Sequence, residues 1–308
     1  MLHVGVDFGG TKIEAAALSS SGEFLARHRE PNPGNYPDAL TVVCDLIDRV
    51  EAEAKIKAPE LANRVATIGV GAPGSVSPRT GVMRNANSVW LNGKTFREDL
   101  EARLKRPVKL ANDANCLALS EAIDGAAAGS ANVFAIIVGT GCGGGLVVNH
   151  RLVEGANGVA GEWGHATLPW PKDGETPGPQ CWCGHRGCLE TWVSGSGFAR
   201  DYEAVTGHAL KGEAIIADMR AGEPQAEAAF ERLVDRLARG MAMIVNILDP
   251  EVFVLGGGLS NVSEIYERLP ERISAYVFSD SWQAQIVPAR WGDSSGVRGA
   301  AYLWAEAA

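Results

Sequence analysis

Residues 2–18 read LHVGVDFGGTKIEAAAL. Residues 2–8 predict a buried strand carrying Asp7 at its end, Gly9-Gly10-Thr11 a turn, and residues 12–18 a returning strand. The pattern is a hairpin with a glycine tip. Residues 133–148, VFAIIVGTGCGGGLVV, repeat it: an apolar strand at 133–138, a glycine-rich tip at 139–145, and an apolar strand at 146–148. The two hairpins lie about 130 residues apart and predict an internal duplication.

Strands and helices alternate outward from these hairpins. A strand is expected at 23–30 and an amphipathic helix at 38–55, where Leu40, Val43, Cys44, Ile47 and Val50 recur at helical spacing. A strand at 65–71 breaks at Ala72-Pro73-Gly74 and opens a turn-rich loop, 74–96, holding Asn85, Asn87, Trp90, Asn92 and Gly93. A helix at 97–104 leads to a strand at 107–111, and Asn112-Asp113 opens a helix to about residue 128. Asp113 sits where an N-cap belongs. Farther on, helices are expected at 196–206 and 225–248, and a strand at 252–255 ends in Gly256-Gly257-Gly258. A helix at 262–276, a strand at 285–289 and a helix at 295–305 finish the chain. The class is α/β.

With 308 residues the chain has room for two domains. A net charge of −9 argues against a nucleic-acid partner, which favours a basic face. The sequence shows neither an apolar run long enough to span a bilayer nor a leader-like N-terminus, so a cytoplasmic setting is expected. Of the six cysteines, Cys44, Cys116 and Cys142 read as core residues.

The other three lie within residues 161–190, GEWGHATLPWPKDGETPGPQCWCGHRGCLE. Cys181, Cys183 and Cys188, with His165 upstream, form a complete tetrahedral set for a structural Zn²⁺. Packed thiols or a disulfide are the blander alternatives, and a disulfide does not suit a reducing compartment. His185 is a rival fourth ligand. His165 is preferred, because a distant ligand closes a longer loop. Glu162 and Glu190 flank the cluster, so the metal is expected to hold a site nearby.

The tip Asp7-Phe8-Gly9-Gly10-Thr11-Lys12 suits an anion: its glycines admit close backbone approach, and Thr11 and Lys12 donate. Asp7 is placed to hold Mg²⁺ through water. The Walker A spacing is absent. Residues 139–144 match G-x-G-x-x-G, but a strand follows where the dinucleotide fingerprint requires a helix. Each tip alone is also an ordinary turn. Two of them, plus Gly256 and Gly257, point to a nucleotide cradle that includes Gly139, Thr140, Gly141 and Gly143. Asp113 is the candidate general base for phosphoryl transfer, with a plain helix cap as the alternative. Asn87, Asn112, Glu162, His165 and Glu190 supply the donors and acceptors that a hydroxyl-rich substrate needs.

Taken together these motifs resemble the ROK family of bacterial sugar kinases, in the actin/hexokinase superfamily. The resemblance rests on D-x-G-G-T-K at 7–12, G-A-P-G at 71–74, N-D at 112–113, G-T-G-x-G-G-G at 139–145, E-x-G-H at 162–165 and C-x-C-G-x-x-G-C-x-E at 181–190. N-A-N-S-V-W-L-N-G at 85–93 and L-A-N-D-A-N-C-L-A at 110–118 are similar to the fructokinase/mannokinase branch. The resemblance implies a two-lobed, ribonuclease H-like fold with ATP and sugar in a central cleft. The small lobe would hold 1–118 plus 295–308, the large lobe 119–294. It implies Asp113 as base and a sugar pocket of Gly74, Ser75, Asn87, Asn112, Glu162, His165 and Glu190, with His165 also on zinc. ATP, Mg²⁺, a structural Zn²⁺ and a homodimer are implied, with neither a nucleic-acid nor a membrane partner. Some members are repressors with an N-terminal helix-turn-helix; this sequence opens on its first strand, so a kinase is expected instead. Fructose is the expected acceptor, with possible extension to mannose. Glucokinase or N-acetylglucosamine/N-acetylmannosamine kinase is the alternative within the family, and a catalytically silent sugar sensor the alternative outside it.

Overall fold

Both glycine-tipped hairpins form, and each starts a five-stranded sheet. The computed structural model describes residues 1–305. In chain order the N-terminal elements are β1 (Leu2–Phe8), β2 (Lys12–Ser19), β3 (Phe24–Pro31), α1 (Tyr36–Lys57), β4 (Thr67–Ala72), β5 (Ser75–Val76), β6 (Met83–Arg84), α2 (Phe96–Leu104), β7 (Val108–Asn112) and α3 (Asp113–Ile123). Next come β8 (Val133–Val138), β9 (Cys142–Val148), β10 (Arg151–Leu152), α4 (Glu190–Val193), α5 (Gly195–Thr206), α6 (Gly212–Arg220) and α7 (Pro224–Leu248). The chain continues through β11 (Val252–Gly256), α8 (Ser263–Ser274), β12 (Gln285–Pro288) and α9 (Ser295–Tyr302).

The sheets have strand orders β3-β2-β1-β4-β7 and β10-β9-β8-β11-β12. These are the same order, in which a hairpin-connected antiparallel edge is continued by parallel strands. The duplication read from the two hairpins thus extends to whole sheets. By packing, one unit is Met1–Gly129 with Gly145–Ala160 and the segment from Arg290, and the other is Ser130–Gly144 with Gly161–Ala289. Residues 119–129 and 145–160 thus group with the N-terminal sheet, while the sequence reading assigned them to the large lobe.

The first sheet shows why these residues form this layer. Along β1, Val4 and Val6 point to the same side and join a core with Leu40, Val43, Leu46, Ile47 and Val50 of α1. Burying each such side chain contributes about 1.5–3 kcal/mol. Helix α1 starts where the Asn35 side chain accepts from the Asp38 N–H. On the other side of the sheet, Gly5 and Gly69 are in register. A Cβ on Gly5 would lie 2.0 Å from Val297 O, and one on Gly69 1.9 Å from Ala300 O. The two glycines let α9 lie directly on the sheet, so Gly69→Ala would push that helix away.

Helix α3 differs from expectation at both ends. Its N-cap is Asn112, not Asp113. It ends at Ile123, not near residue 128, because the buried Glu121 carboxylate accepts from Ala126 N–H at 2.8 Å and folds the chain into a turn. The same carboxylate accepts from Arg290 N–H at 2.9 Å and Ser295 Oγ at 2.9 Å, which fixes the start of α9. The loop at 74–96 contains the short β5–β6 pair, and α6 has no counterpart in the sequence reading. Among the described residues no helix is long and apolar enough to cross a membrane.

Candidate active site

In the first unit, β1, β4 and β7 run parallel as neighbours, and their carboxyl ends gather one group of the expected site residues. Asp7 stands opposite Gly71, and Ala72 opposite Asn112. Asp113 is the first residue of α3. Its Oδ1 and that of Asn112 both accept from Ala114 N–H at 2.8 Å. The Asn112 amide donates to Gly74 O at 3.4 Å, so Gly74, Asn112 and Asp113 are brought together. Gly74 has φ +78°, and a Cβ there would meet Arg84 O at 2.3 Å, which leaves room only for glycine. Ser75 Oγ accepts from Arg84 Nε at 3.4 Å. Asn87 is exposed. Its neighbour Asn92 holds the turn by accepting from Ala86 N–H at 2.9 Å and donating to Ala86 O at 3.0 Å. Asn92 is thus structural, a role its type alone did not reveal.

The tip at residues 9–12 is held from below. Asn32 donates from its side chain to Gly9 O at 2.8 Å and from its N–H to Thr11 O at 3.0 Å. Gly10 and Thr11 are exposed and Lys12 is half-buried. Burial, then the nearby Asp113 and Glu14 carboxylates, push Asp7 up to about 6. Burial also raises Asp113, against the lowering by the Ala114 N–H. Asp113 keeps substantial solvent-accessible surface despite the protein packed around it. Two carboxylates whose proximity raises Asp7 are a donor set that a hard cation would relieve, and Asp7 fits Mg²⁺ in that sense.

In the second unit, β8 and β11 are parallel, with Gly256 opposite Ile137. Gly257, at φ +82°, lies so close to the other tip that a Cβ would sit 2.8 Å from Val138 C and 3.0 Å from Gly139 N. Gly139, Thr140 and Gly141 therefore share one end of this sheet with Gly256 and Gly257. The E-x-G-H segment docks on the same tip. Trp163 Nε1 donates to Gly143 O at 3.1 Å, and a Cβ on Gly164 would lie 2.1 Å from Cys142 O. Glu162 precedes the short helix Trp163–His165 and is exposed. Glu190 Oε2 accepts from Cys142 N–H at 3.0 Å, and a Cβ on Gly141 would approach that oxygen to 2.7 Å.

Ligand atoms of His165, Cys181, Cys183 and Cys188 all lie within 4.8 Å of one another. Cys181 Sγ stands 3.6 Å from His165 Nδ1, and Cys183 Sγ 3.6 Å from Cys188 Sγ. Tetrahedral Zn²⁺ with bonds of about 2.3 Å sets sulfurs about 3.7 Å apart, so the cluster fits that ion. The cysteines are free thiols, which removes the disulfide alternative. Burial first, then its thiol neighbours, push Cys188 up to about 12. Three adjacent thiolates therefore need a cation to coexist. His185 is exposed and lies outside the quartet; its carbonyl accepts from Cys181 N–H at 2.8 Å.

Two features had no counterpart in the sequence reading. Glu175, midway between His165 and Cys181, is buried and receives Arg239 Nη1 and Nη2 at 2.8 Å each and Arg236 Nε at 2.8 Å. Burial alone would raise its carboxyl; the two arginines outweigh it and bring it to about 2. Arg239, fully buried in α7, also donates to Trp170 O at 2.8 Å. The long loop is thereby tied to α7. The second feature is Trp182, between two of the cysteines, whose indole N–H donates to Glu190 Oε1 at 2.7 Å.

Proteins of known kind are similar to this chain along almost its whole length. A profile of the ROK family matches residues 3–307. N-acetyl-D-glucosamine kinase of Pectobacterium atrosepticum is 40% identical over 309 residues, covering 98% of each chain. The crystal structure of the ROK hexokinase of Thermus thermophilus superposes with a TM-score of 0.85 at 33% identity, over 98% of this chain and 97% of that one. A ROK glucokinase of Streptomyces griseus, crystallised with glucose and AMPPNP, gives a TM-score of 0.77 at 27% identity, over 98% and 99%. The expected α/β, actin/hexokinase-like class is the fold these proteins share. The motifs, the duplicated sheets and the match across residues 3–307 establish that the chain belongs to the ROK family.

Proposed function

We propose that this ROK-family sugar kinase transfers the γ-phosphoryl group of ATP to a hydroxyl of N-acetyl-D-glucosamine. The observation that carries the choice of sugar is the 40% identity, over 98% of both chains, to an N-acetyl-D-glucosamine kinase. That relationship displaces fructose, the acceptor expected from residues 85–93 and 110–118. The enzymes compared above are named for N-acetylglucosamine, hexose and glucose.

In this reading Asp113 accepts the proton of the attacking hydroxyl as the oxygen bonds to the γ-phosphorus and ADP leaves. Asp113 opens α3 and keeps solvent-accessible surface, so a substrate hydroxyl can reach its carboxylate. Gly74, Ser75, Asn87, Asn112, Glu162, His165 and Glu190 are the proposed ligands of the sugar hydroxyls. The glycine tip at 9–12, with Asp7 beside it, and, on its own sheet, the tip at 139–143 with Gly256 and Gly257 are each suited to nucleotide phosphates through backbone N–H groups. Mg²⁺, when held through water by Asp7, neutralises phosphate charge. Zn²⁺ on His165, Cys181, Cys183 and Cys188 is structural, since four protein ligands leave no open position. We place the enzyme in the cytoplasm as a homodimer.

The test is ADP release measured with ATP and a panel of N-acetylglucosamine, N-acetylmannosamine, glucose, mannose and fructose. N-acetylglucosamine should give the highest kcat/KM. A higher value for fructose would restore the expectation from the sequence. Sugar binding without ADP release would mark a silent sensor.

A further inference from the structure

Glu190 is gripped from two sides. Its Oε2 accepts the Cys142 backbone N–H at 3.0 Å, from the glycine-rich tip. Its Oε1 accepts the Trp182 indole N–H at 2.7 Å, from the cysteine loop. Cys181 Sγ also comes within 3.9 Å of Oε1. As a thiolate ligand of zinc, Cys181 has no proton to give, which leaves the indole to hold that oxygen. The Trp182 ring stands edge-on to His165, with centroids 5.0 Å apart and planes at 84°. Yet Trp182 is 63% exposed. A side chain that only filled the cysteine loop would be buried in it. Here the indole lies over the loop's surface with its polar tip committed to one carboxylate.

We propose that Trp182 is a positioning residue for sugar binding: its indole N–H locks the Glu190 carboxylate in the orientation that receives the sugar, and links that orientation to the metal loop. The proposal rests on the reading of Glu190 as a sugar ligand. A carboxylate bonded at both oxygens has little rotational freedom left, so its remaining lone pairs point in fixed directions. Without the indole, Glu190 keeps only the Cys142 N–H and turns about it. Ordering it again on sugar binding then weakens affinity. The nucleotide tip is untouched, because the bond to Cys142 stays.

The experiment uses the full-length, zinc-loaded protein and compares wild type, Trp182→Phe, Glu190→Gln and the double variant. Phenylalanine retains an aromatic ring at the site and removes the N–H. Trp182→Phe should raise KM for N-acetylglucosamine about tenfold, as expected for loss of a hydrogen bond to a charged group. It should leave KM for ATP and the zinc stoichiometry by elemental analysis unchanged. In the Glu190→Gln background the same change should have an effect of less than about twofold, because the amide has already broken the fixed geometry. An unchanged sugar KM in Trp182→Phe overturns the proposal. So does an effect that persists undiminished in the Glu190→Gln background, or one accompanied by zinc loss, since either marks a purely structural tryptophan. If Glu190→Gln itself leaves the sugar KM unchanged, the assignment of Glu190 as a sugar ligand fails, separately from the role of Trp182.

Discussion

Glu175→Gln is a sharp test of how the metal loop is anchored. The carboxylate is buried and bridges Arg239, which has no exposed surface, and Arg236, which is nearly as enclosed. The variant keeps the shape and removes the charge, leaving Arg239 with only Asp235 at 3.1 Å for ionic compensation. A carboxyl at about 2 in the folded protein, against a usual 4.5, contributes about 3 kcal/mol at neutral pH. That agrees with the ~3–5 kcal/mol cost of breaking a buried pair from one side. The folded value is depressed, so this stability is present above pH 4.5 and fades as pH falls toward 2. Urea unfolding followed by circular dichroism should show wild type about 3 kcal/mol more stable than Glu175→Gln at pH 7. The gap should shrink to about half or less near pH 3. A gap below about 1 kcal/mol at pH 7, or one that does not change with pH, would refute the claim that these arginines hold the loop through an ionised Glu175.

Asp113→Asn should lower kcat by about 10²–10⁴-fold with the sugar still bound, because an amide cannot take the proton; retention of a tenth of wild-type turnover in the ADP assay would remove Asp113 from that role. Asp7→Asn should stabilise the metal-free protein by up to about 3 kcal/mol at pH 8, since a carboxyl raised to about 6 destabilises the folded state as pH climbs through that value. The same variant should lose Mg²⁺-dependent activity, and thermal melts should show a gain at pH 5 only about half as large as at pH 8, because the penalty builds between the usual 3.8 and about 6. Gly10→Val should raise KM for ATP more than for sugar, because a Cβ there meets nothing nearer than Ser88 Oγ at 3.8 Å and tests approach of phosphate alone. Elemental analysis should find one zinc per chain in His185→Ala and a loss of zinc in His165→Ala; the reverse would give the metal to His185 and leave His165 to the sugar.

The parts of this chain legible in its sequence are those where one residue type does one local job. Alternating apolar residues, glycine tips and thiolate spacing announce the hairpins, their duplication and the cysteine cluster, because each depends on near neighbours. What escaped depends on partners far along the chain. Gly5 and Gly69 look like weak points in strands; only the arrival of α9 explains them. Glu121 reads as an ordinary helical residue, yet its bonds to residues 126, 290 and 295 stop one helix and start another. Glu175 sits in a stretch of Pro, Gly and Thr that signals only turns, and its meaning comes from two arginines on α7 more than 60 positions away. Gly141 shows why such reach matters for assigning function. In the sequence it is one more glycine of a phosphate tip, and Gly141→Val is expected from that alone to raise the ATP requirement more than the sugar requirement. A Cβ there would come within 2.7 Å of Glu190 Oε2, the oxygen that Cys142 N–H holds. Gly141→Val must therefore displace the proposed sugar-binding carboxylate as well as the tip, so both KM values should rise together. A side chain at Gly141 thus acts on two sites at once, on the tip it belongs to and on the carboxylate oxygen it would displace.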